Sequence, residues 1–143
     1  MKQFILIIAI SLTYFSVLAQ NVQFSKIEGE WTVKSVQLTA DMKFNEDQSK
    51  MMESVKDGFI NSKFSFNSDN TFLFKMPDGI PNFMEELKFL NDKKWKINIQ
   101  NGAIMIGSEE DQYSLMSIFI KTQGDKIFFL LYETPLLLEV VKG

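Results

Sequence analysis

Residues 95–106 read Trp-Lys-Ile-Asn-Ile-Gln-Asn-Gly-Ala-Ile-Met-Ile, and this stretch points most clearly to the fold. Apolar residues alternate with polar ones on both sides of an Asn-Gly pair, at Trp95, Ile97, Ile99, Ile104 and Ile106. Asn-Gly in such a setting is the strongest short signal for a β-hairpin with a two-residue turn. A turn of that length pairs Ile99 with Ile104. The next inward pair is then Ile97 and Ile106, and the apolar faces of the two strands agree.

A second hairpin is predicted where four phenylalanines flank a polar cluster, at Phe64, Phe66, Phe72 and Phe74. The cluster Ser68-Asp69-Asn70 fits a three-residue loop with its last residue in the left-handed conformation. That loop length pairs Phe66 with Phe72. It also pairs Phe64 with Phe74, so all four rings lie on one side of the sheet. A four-residue loop would break this alignment, and we therefore expect the shorter one.

The first strand is predicted over residues 27–38, where the apolar face slips by one residue between Val33 and Val36. Such a slip indicates a β-bulge. Three further runs of strand-forming residues follow, at 114–122, 126–133 and 136–141. Together with the two hairpins they give about eight strands joined mostly by tight turns. This pattern favours a mainly β fold, an antiparallel meander closing into a barrel, over a parallel sheet.

A helix is predicted between the first two strands. Asn45 can cap its start, Gln48 can complete a capping box, and Gly58 can end it. Its apolar stripe consists of Met51, Met52 and Val55, with Phe59 just past the end. A stripe of this kind is typical of a helix packed on the body of a domain, and a mobile lid is the alternative. A second, short helix is predicted from Asn82, with one apolar face at Phe83, Leu87 and Leu90.

The composition limits the chemistry that the chain can perform, because its 143 residues include no His, no Cys and no Arg. Without His or Cys there is no triad with a His base, no thiolate nucleophile and no ordinary zinc site. Without Arg there is no bidentate clamp for phosphate, and a net charge of −3 does not favour nucleic-acid binding. The acidic run Glu109-Glu110-Asp111 lacks the alternating ligands of a calcium loop. We therefore expect no catalytic residues, no metal site and no cofactor.

Residues 1–19 have the pattern of a secretory signal peptide. A lysine precedes an apolar run, and the small residues Val17 and Ala19 precede the expected cleavage site. The run is interrupted by polar residues as it approaches the roughly 20 apolar residues that a membrane-spanning helix needs. We therefore expect one mature domain at residues 20–143 without a membrane span, in a secreted or periplasmic location.

The segment Gly29-Glu30-Trp31 resembles the Gly-X-Trp opening of the lipocalin superfamily. Together with the two hairpins, it makes the chain similar to small exported bacterial proteins with lipocalin-like domains. The resemblance implies an eight-stranded cup with Gly29 and Trp31 at its closed floor, and a small-molecule role. Lipocalins commonly place an Arg over this Trp. This chain has none, and Lys142 is the residue that can substitute in part.

The candidate ligand-binding residues are the inward positions of the two hairpins: Phe64, Phe66, Phe72, Phe74, Ile97, Ile99, Ile104 and Ile106. An eight-stranded barrel is just wide enough to hold one small ligand or to be filled by its own side chains. The leading interpretation is a binding module for a small apolar or amphipathic molecule. The alternative is a non-enzymatic cell-envelope protein with a filled barrel, whose outer face binds a protein partner.

Overall fold

Eight antiparallel strands follow one another around a closed barrel, as the sequence predicts, in a computed structural model that describes residues 27–39 and 43–143. The strands are β1 (Gly29–Leu38), β2 (Lys63–Phe66), β3 (Thr71–Lys75), β4 (Lys93–Ile97), β5 (Ile104–Gly107), β6 (Met116–Gln123), β7 (Lys126–Leu131) and β8 (Leu136–Lys142). Helix α1 (Glu46–Phe59) lies between β1 and β2, and a 3-10 helix (Asn82–Leu90) lies between β3 and β4. The predicted signal peptide lies outside the described residues.

The first strand contains the bulge that its apolar pattern predicts. Val33 lies opposite Val140 of β8. The next pair joins Ser35 to Glu139, which leaves Lys34 without a partner position. The extra residue restores the inward direction of the apolar side chains that follow, so β1 keeps one buried face along its length.

The Phe-rich hairpin of β2 and β3 has the predicted register. Phe66 lies opposite Phe72, and Phe64 lies opposite Phe74. Asn70 has a left-handed φ of 69°, as the three-residue loop requires. The expected loop length is therefore confirmed.

The loop of this hairpin is held by the carboxylate of Asp69. Its Oδ1 accepts hydrogen bonds from the Thr71 hydroxyl at 2.6 Å and from the Thr71 backbone N–H at 3.0 Å. These two bonds, the hydroxyl bond first, lower the pKa of Asp69 below its ordinary value because they favour the charged form. The loop is thus stabilised by hydrogen bonds between residues that are close together in the sequence.

The β4–β5 hairpin has the predicted faces but a longer turn. Ile97 pairs with Ile104 and Trp95 pairs with Ile106, so the register differs by two residues from the expected one. Because side chains alternate with a period of two, a shift of two residues keeps the inward residues facing inward. The expected pairing of Ile99 with Ile104 is wrong, and 82% of the Ile99 surface is exposed in the loop.

Two asparagine side chains explain the longer turn. The Asn98 Oδ1 accepts a hydrogen bond from the Gln100 N–H, and the Asn101 Oδ1 accepts one from the Ala103 N–H, both at 2.9 Å. The Gly102 N–H donates to the Asn98 carbonyl at 2.7 Å. These local bonds favour a wider loop over the two-residue turn that Asn-Gly alone predicts.

The start of α1 is as predicted, but its end is not. The Asn45 side chain accepts from the Gln48 N–H at 2.8 Å, and the Gln48 side chain accepts from the Asn45 N–H at 3.1 Å. This is the predicted capping box. The prediction that Gly58 ends the helix is wrong, since α1 continues to Phe59 and Asn61 then has a left-handed φ of 67°.

Helix α1 packs on the barrel from Met52 onward. Phe59 is buried, and Met52 and Val55 are partly buried against the core. The predicted stripe is wrong at Met51, of which 59% is exposed, as are residues 46–50 before it. The predicted packing therefore holds for the last turns of α1.

The second predicted helix is a 3-10 helix, and this changes which side chains it buries. Residues three apart share a face in a 3-10 helix. Met84 and Leu90 are buried and Leu87 is partly buried, whereas Phe83 is 44% exposed. The predicted face is therefore wrong at Phe83. That prediction uses the spacing of an α-helix, whereas the segment is a 3-10 helix.

The strand order divides the connections between two ends of the barrel. At the end that we call the base lie the start of β1, the end of β8 and the β2–β3, β4–β5 and β6–β7 turns. At the end that we call the mouth lie α1, the 3-10 helix, loop 108–115 and turn 132–135. No helix within residues 27–39 and 43–143 is long and apolar enough to cross a membrane.

Candidate functional site

Most of the predicted ligand-binding residues lie inside the barrel. Six of them have at most 3% of their surface exposed: Phe64, Phe66, Phe72, Phe74, Ile104 and Ile106. Ile97 is partly buried against the same core, and Ile99 lies outside it in the β4–β5 loop. The predicted inward position is therefore correct for the strand residues and wrong for Ile99. Their role in ligand binding stays a prediction.

The phenylalanines inside the barrel contact one another. The ring centroids of Phe64 and Phe74 are 4.8 Å apart, and those of Phe66 and Phe72 are 5.3 Å apart. Phe129 of β7 approaches Phe64 to 5.7 Å and Phe66 to 6.1 Å. Such distances are those of packed aromatic pairs. This part of the barrel is a tightly packed aromatic core.

Trp31 and Gly29 lie at the base beside the last residue of β8. The Trp31 Nε1 donates a hydrogen bond to the Ile27 carbonyl at 2.8 Å, and its ring centroid is 5.5 Å from that of Phe129. The Lys142 Nζ lies 5.6 Å from the centre of the Trp31 ring, within range of a cation–π interaction. A Cβ on Gly29 would come within 2.9 Å of the Lys142 Cε. Glycine therefore leaves room for the lysine to cross the Trp ring.

A pocket of about 330 Å³ opens at the mouth of the barrel. Helix α1 contributes Val55 and Phe59, and the 3-10 helix contributes Phe83, Met84 and Leu87. The strand ends and loops contribute the remaining lining residues, which are Leu115, Met116, Leu131, Tyr132, Thr134 and Leu136. None of these lining residues is charged. The pocket is therefore an apolar cleft between the two helices and the open end of the barrel.

The roof of this pocket is held by close contacts at the end of α1. The Ser62 hydroxyl, which is fully buried, donates a hydrogen bond to the Gly58 carbonyl at 3.0 Å. Gly58 itself packs against Met84, since a Cβ there would lie 2.9 Å from the Met84 Cε. The absence of a side chain at Gly58 thus allows α1 and the 3-10 helix to meet.

Two polar side chains line the pocket. The Thr134 Oγ1 donates to the Leu131 carbonyl at 2.8 Å and accepts from the Leu136 N–H at 3.1 Å, so it serves the turn. Tyr132 is 58% exposed and its ring lies 5.8 Å from that of Phe119. Within the described ranges the Tyr132 hydroxyl forms no hydrogen bond.

A second pocket, of about 590 Å³, lies along β4 and is more polar. Its charged lining residues are Glu28, Asp69, Lys94, Lys96 and Glu109. The Lys96 Nζ lies 4.3 Å from the centre of the Tyr113 ring, and Ile99 also lines this pocket. Because charges of both signs surround it, this surface does not select a ligand of one charge.

The acidic run after β5 holds its own loop. The Asp111 carboxylate accepts from the Ser108 N–H and hydroxyl, both at 3.0 Å, and from the Ser114 N–H at 3.3 Å. These bonds, the Ser108 backbone bond first, lower the pKa of Asp111. Across the part of the chain that the structure describes, no group of three or more metal-ligating side chains is placed to hold a metal ion.

The mouth pocket is not foreseen from the sequence. Its lining residues come from four stretches of sequence, 55–59, 83–87, 115–116 and 131–136, and no single motif joins them. The available signal is the number of apolar residues in the 82–90 segment, of which Phe83, Met84 and Leu87 line the pocket. Which of them share a face depends on 3-10 geometry, and which elements meet them depends on the closed barrel.

Comparison with known proteins adds no match. No protein-family model, curated protein or solved structure matches this chain. The candidate site is therefore argued from its geometry, which combines an uncharged apolar pocket at the mouth with a packed aromatic core below it.

Proposed function

We propose that this protein is a lipocalin-like binding module that holds a small apolar or amphipathic molecule at the mouth of its barrel. The proposal rests on the apolar pocket of about 330 Å³ between α1, the 3-10 helix and the strand ends. Ligand sites typically measure about 300–1,000 Å³ and are mostly apolar with a few polar groups. We prefer the mouth to the barrel interior because the interior phenylalanines already contact one another.

Two features of the lining support this function. Met84 and Met116 contribute flexible thioether side chains, which adapt to ligands of different shape. Tyr132, which is 58% exposed, lines the same pocket, and a phenolic hydroxyl is able to bind one polar group of a ligand. An apolar cleft with one available hydroxyl suits a molecule with a large apolar body.

The proposal is tested by titrating the protein with the neutral fluorescent dye N-phenyl-1-naphthylamine. We expect saturable binding to one site. Val55→Asp puts a carboxylate into the pocket wall and should weaken binding about tenfold or more, because the charge must stay hydrated. Met51→Asp is the matched control, since Met51 is on the same helix but 59% exposed.

Two results would contradict this function. The wild-type protein shows no saturable dye binding, or Val55→Asp and Met51→Asp bind the dye as tightly as each other. Circular dichroism of both variants establishes that they are folded when the comparison is made. The second result would move the binding site away from the mouth.

A second candidate function is an interaction protein with a filled barrel. It is supported by the ring contacts inside the barrel and by apolar residues such as Leu73 and Val141, which are 41% and 45% exposed. Such exposed apolar residues can belong to a protein interface. This candidate is favoured over the first if the wild-type chain binds no dye.

We also propose that the protein is secreted or periplasmic, on the signal-peptide pattern of residues 1–19. The intact mass of protein recovered from periplasm or medium tests this. A chain beginning at Gln20 is the expected product. A product that retains residues 1–19 in the membrane fraction would contradict cleavage.

A further inference from the structure

The two helices that cover the mouth pocket hold no unpaired cation. Their three lysines each lie near a glutamate of the same helix: Lys50 and Glu46 at 3.4 Å, Lys56 and Glu53 at 3.6 Å, and Lys88 and Glu85 at 3.6 Å. Loop 108–115 and turn 132–135, which complete the mouth, contain no basic residue at all. None of these lysines lines the pocket, so a negatively charged ligand inside it would meet no positive charge from the lining.

The same elements carry many acidic residues. Loop 108–115 contains Glu110 beside Glu109, which lines the second pocket, and Asp111, whose carboxylate is hydrogen-bonded within the loop. Glu133 lies between Tyr132 and Thr134, which both line the pocket. These four elements carry more acidic than basic residues, and none of their charged side chains lines the pocket.

We infer that the pocket accepts uncharged apolar molecules and rejects anionic amphiphiles such as fatty acids. This inference rests on the proposed binding function and narrows its ligand class. A carboxylate that entered the pocket would lose water without gaining a cation, which is costly in an apolar site. Entering the pocket costs an uncharged hydroxyl or carbonyl group less free energy of hydration than it costs a carboxylate. A hydrogen bond to Tyr132, which lines the pocket, can take the place of one that such a group made to water.

A matched pair of dyes tests the inference on the wild-type protein. N-phenyl-1-naphthylamine is neutral, and 8-anilinonaphthalene-1-sulfonate has the same ring skeleton with one added sulfonate. We expect the sulfonate dye to bind about tenfold more weakly or worse, also at about 0.5 M salt, where long-range repulsion from the net charge is largely screened. A difference between the two dye affinities that persists at high salt arises from contacts inside the pocket and not from the net charge of the protein.

A single substitution at the rim should weaken this selectivity. Leu115 lines the pocket and is 37% exposed, so Leu115→Lys can keep its ammonium in water beside a bound ligand. We expect the affinity for the sulfonate dye relative to that for the neutral dye to rise roughly fivefold, as one nearby opposite charge contributes. The ratio is the readout because Leu115 itself lines the pocket. Leu73→Lys is the control, since Leu73 is 41% exposed on β3 and does not line this pocket.

The outcomes separate this inference from the proposed function. If the wild-type protein binds the sulfonate dye as tightly as the neutral dye, the inference is wrong and the binding function stands. If neither dye binds, the proposed function fails instead. If Leu115→Lys does not fold, competition of dodecanol and dodecanoate against the bound neutral dye on wild-type protein repeats the test, with displacement by dodecanol alone as the expected result.

Discussion

Gly58 of α1 packs directly against Met84 of the 3-10 helix, and this contact joins the two elements that cover the mouth pocket. A Cβ at Gly58 would lie 2.9 Å from the Met84 Cε and closer still to its sulfur. Gly58 is therefore required for the close approach of two helices. The contact also sets the position of the Met84 thioether, which lines the pocket.

Gly58→Ala should change ligand binding more than stability. Alanine in a helix normally stabilises by about 1 kcal/mol relative to glycine, but here the Met84 side chain must move to make room. We therefore expect a stability change below about 1 kcal/mol in urea denaturation. Because the displaced thioether changes the pocket, the affinity for N-phenyl-1-naphthylamine should fall severalfold.

The same substitution in a Met84→Ala protein tests whether the Met84 side chain causes the effect. In Met84→Ala protein the obstructing atoms are gone, so Gly58→Ala should there stabilise by up to about 1 kcal/mol. Suppose that Gly58→Ala alone stabilises the protein by about 1 kcal/mol and leaves the dye affinity unchanged. That result would contradict the role that we give to the Gly58–Met84 contact.

The features that the sequence predicts correctly depend on residues close together along the chain. The Phe-rich hairpin is fixed by a three-residue loop with a left-handed Asn70, and the start of α1 by the Asn45–Gln48 capping box. The bulge in β1 shows directly as a slip in its apolar pattern. Each signal has few alternatives, which is why the barrel and the inserted helix could be predicted.

The errors arise where two local solutions compete or where distant elements meet. Asn-Gly favours a two-residue turn, but the side chains of Asn98 and Asn101 stabilise a longer loop and leave Ile99 exposed. In the 82–90 segment, α-helical and 3-10 spacing select different faces, and Phe83 is exposed as a result. The mouth pocket depends on four distant stretches of sequence meeting at one end of the barrel, which no local pattern records.

Trp31→Ala should destabilise the fold by about 3–5 kcal/mol in chemical denaturation, as truncation of a buried large aromatic does. Trp31 is 4% exposed, contacts Phe129 and donates to the Ile27 carbonyl. Trp31→Phe retains a ring but leaves that buried carbonyl without its donor, so it should cost roughly 1–3 kcal/mol. A loss below about 1 kcal/mol for the alanine variant, typical of surface positions, would contradict a packed base.

The Asp111 carboxylate should contribute to stability in a pH-dependent way. Its hydrogen bonds lower its pKa from the ordinary value of 3.8, so its contribution is present above that value and is lost as the pH falls below it. The stability difference between wild type and Asp111→Asn in urea should therefore shrink as the pH falls below 3.8. A difference that grows in acid would contradict this sign.

A charge control accompanies that comparison. Glu110→Gln removes the same charge from the same loop without touching the hydrogen bonds of Asp111. We expect unchanged stability at pH 7 for this variant. If it destabilises the protein as much as Asp111→Asn, loop charge and not hydrogen bonding explains the effect.

A pair of phenylalanine variants distinguishes a ligand at the mouth from a ligand inside the barrel. Phe72 has no exposed surface and its ring lies 5.3 Å from that of Phe66, so Phe72→Ala should cost about 3–5 kcal/mol by opening a cavity. Phe83 is 44% exposed at the pocket, so Phe83→Ala should cost less than about 1 kcal/mol. Denaturation of both variants in urea measures these losses.

The dye affinities of the same two variants should follow the opposite order. If the ligand lies at the mouth, Phe83→Ala loses part of the binding surface and should weaken N-phenyl-1-naphthylamine binding about fivefold, on the scale of one buried aromatic contact. Phe72→Ala, measured below its unfolding transition, should bind within about twofold of wild type, since mutations at sites without shared contacts act independently. Unchanged affinity in Phe83→Ala together with a large change in Phe72→Ala would return the ligand to the barrel interior, where the sequence pattern first predicts it.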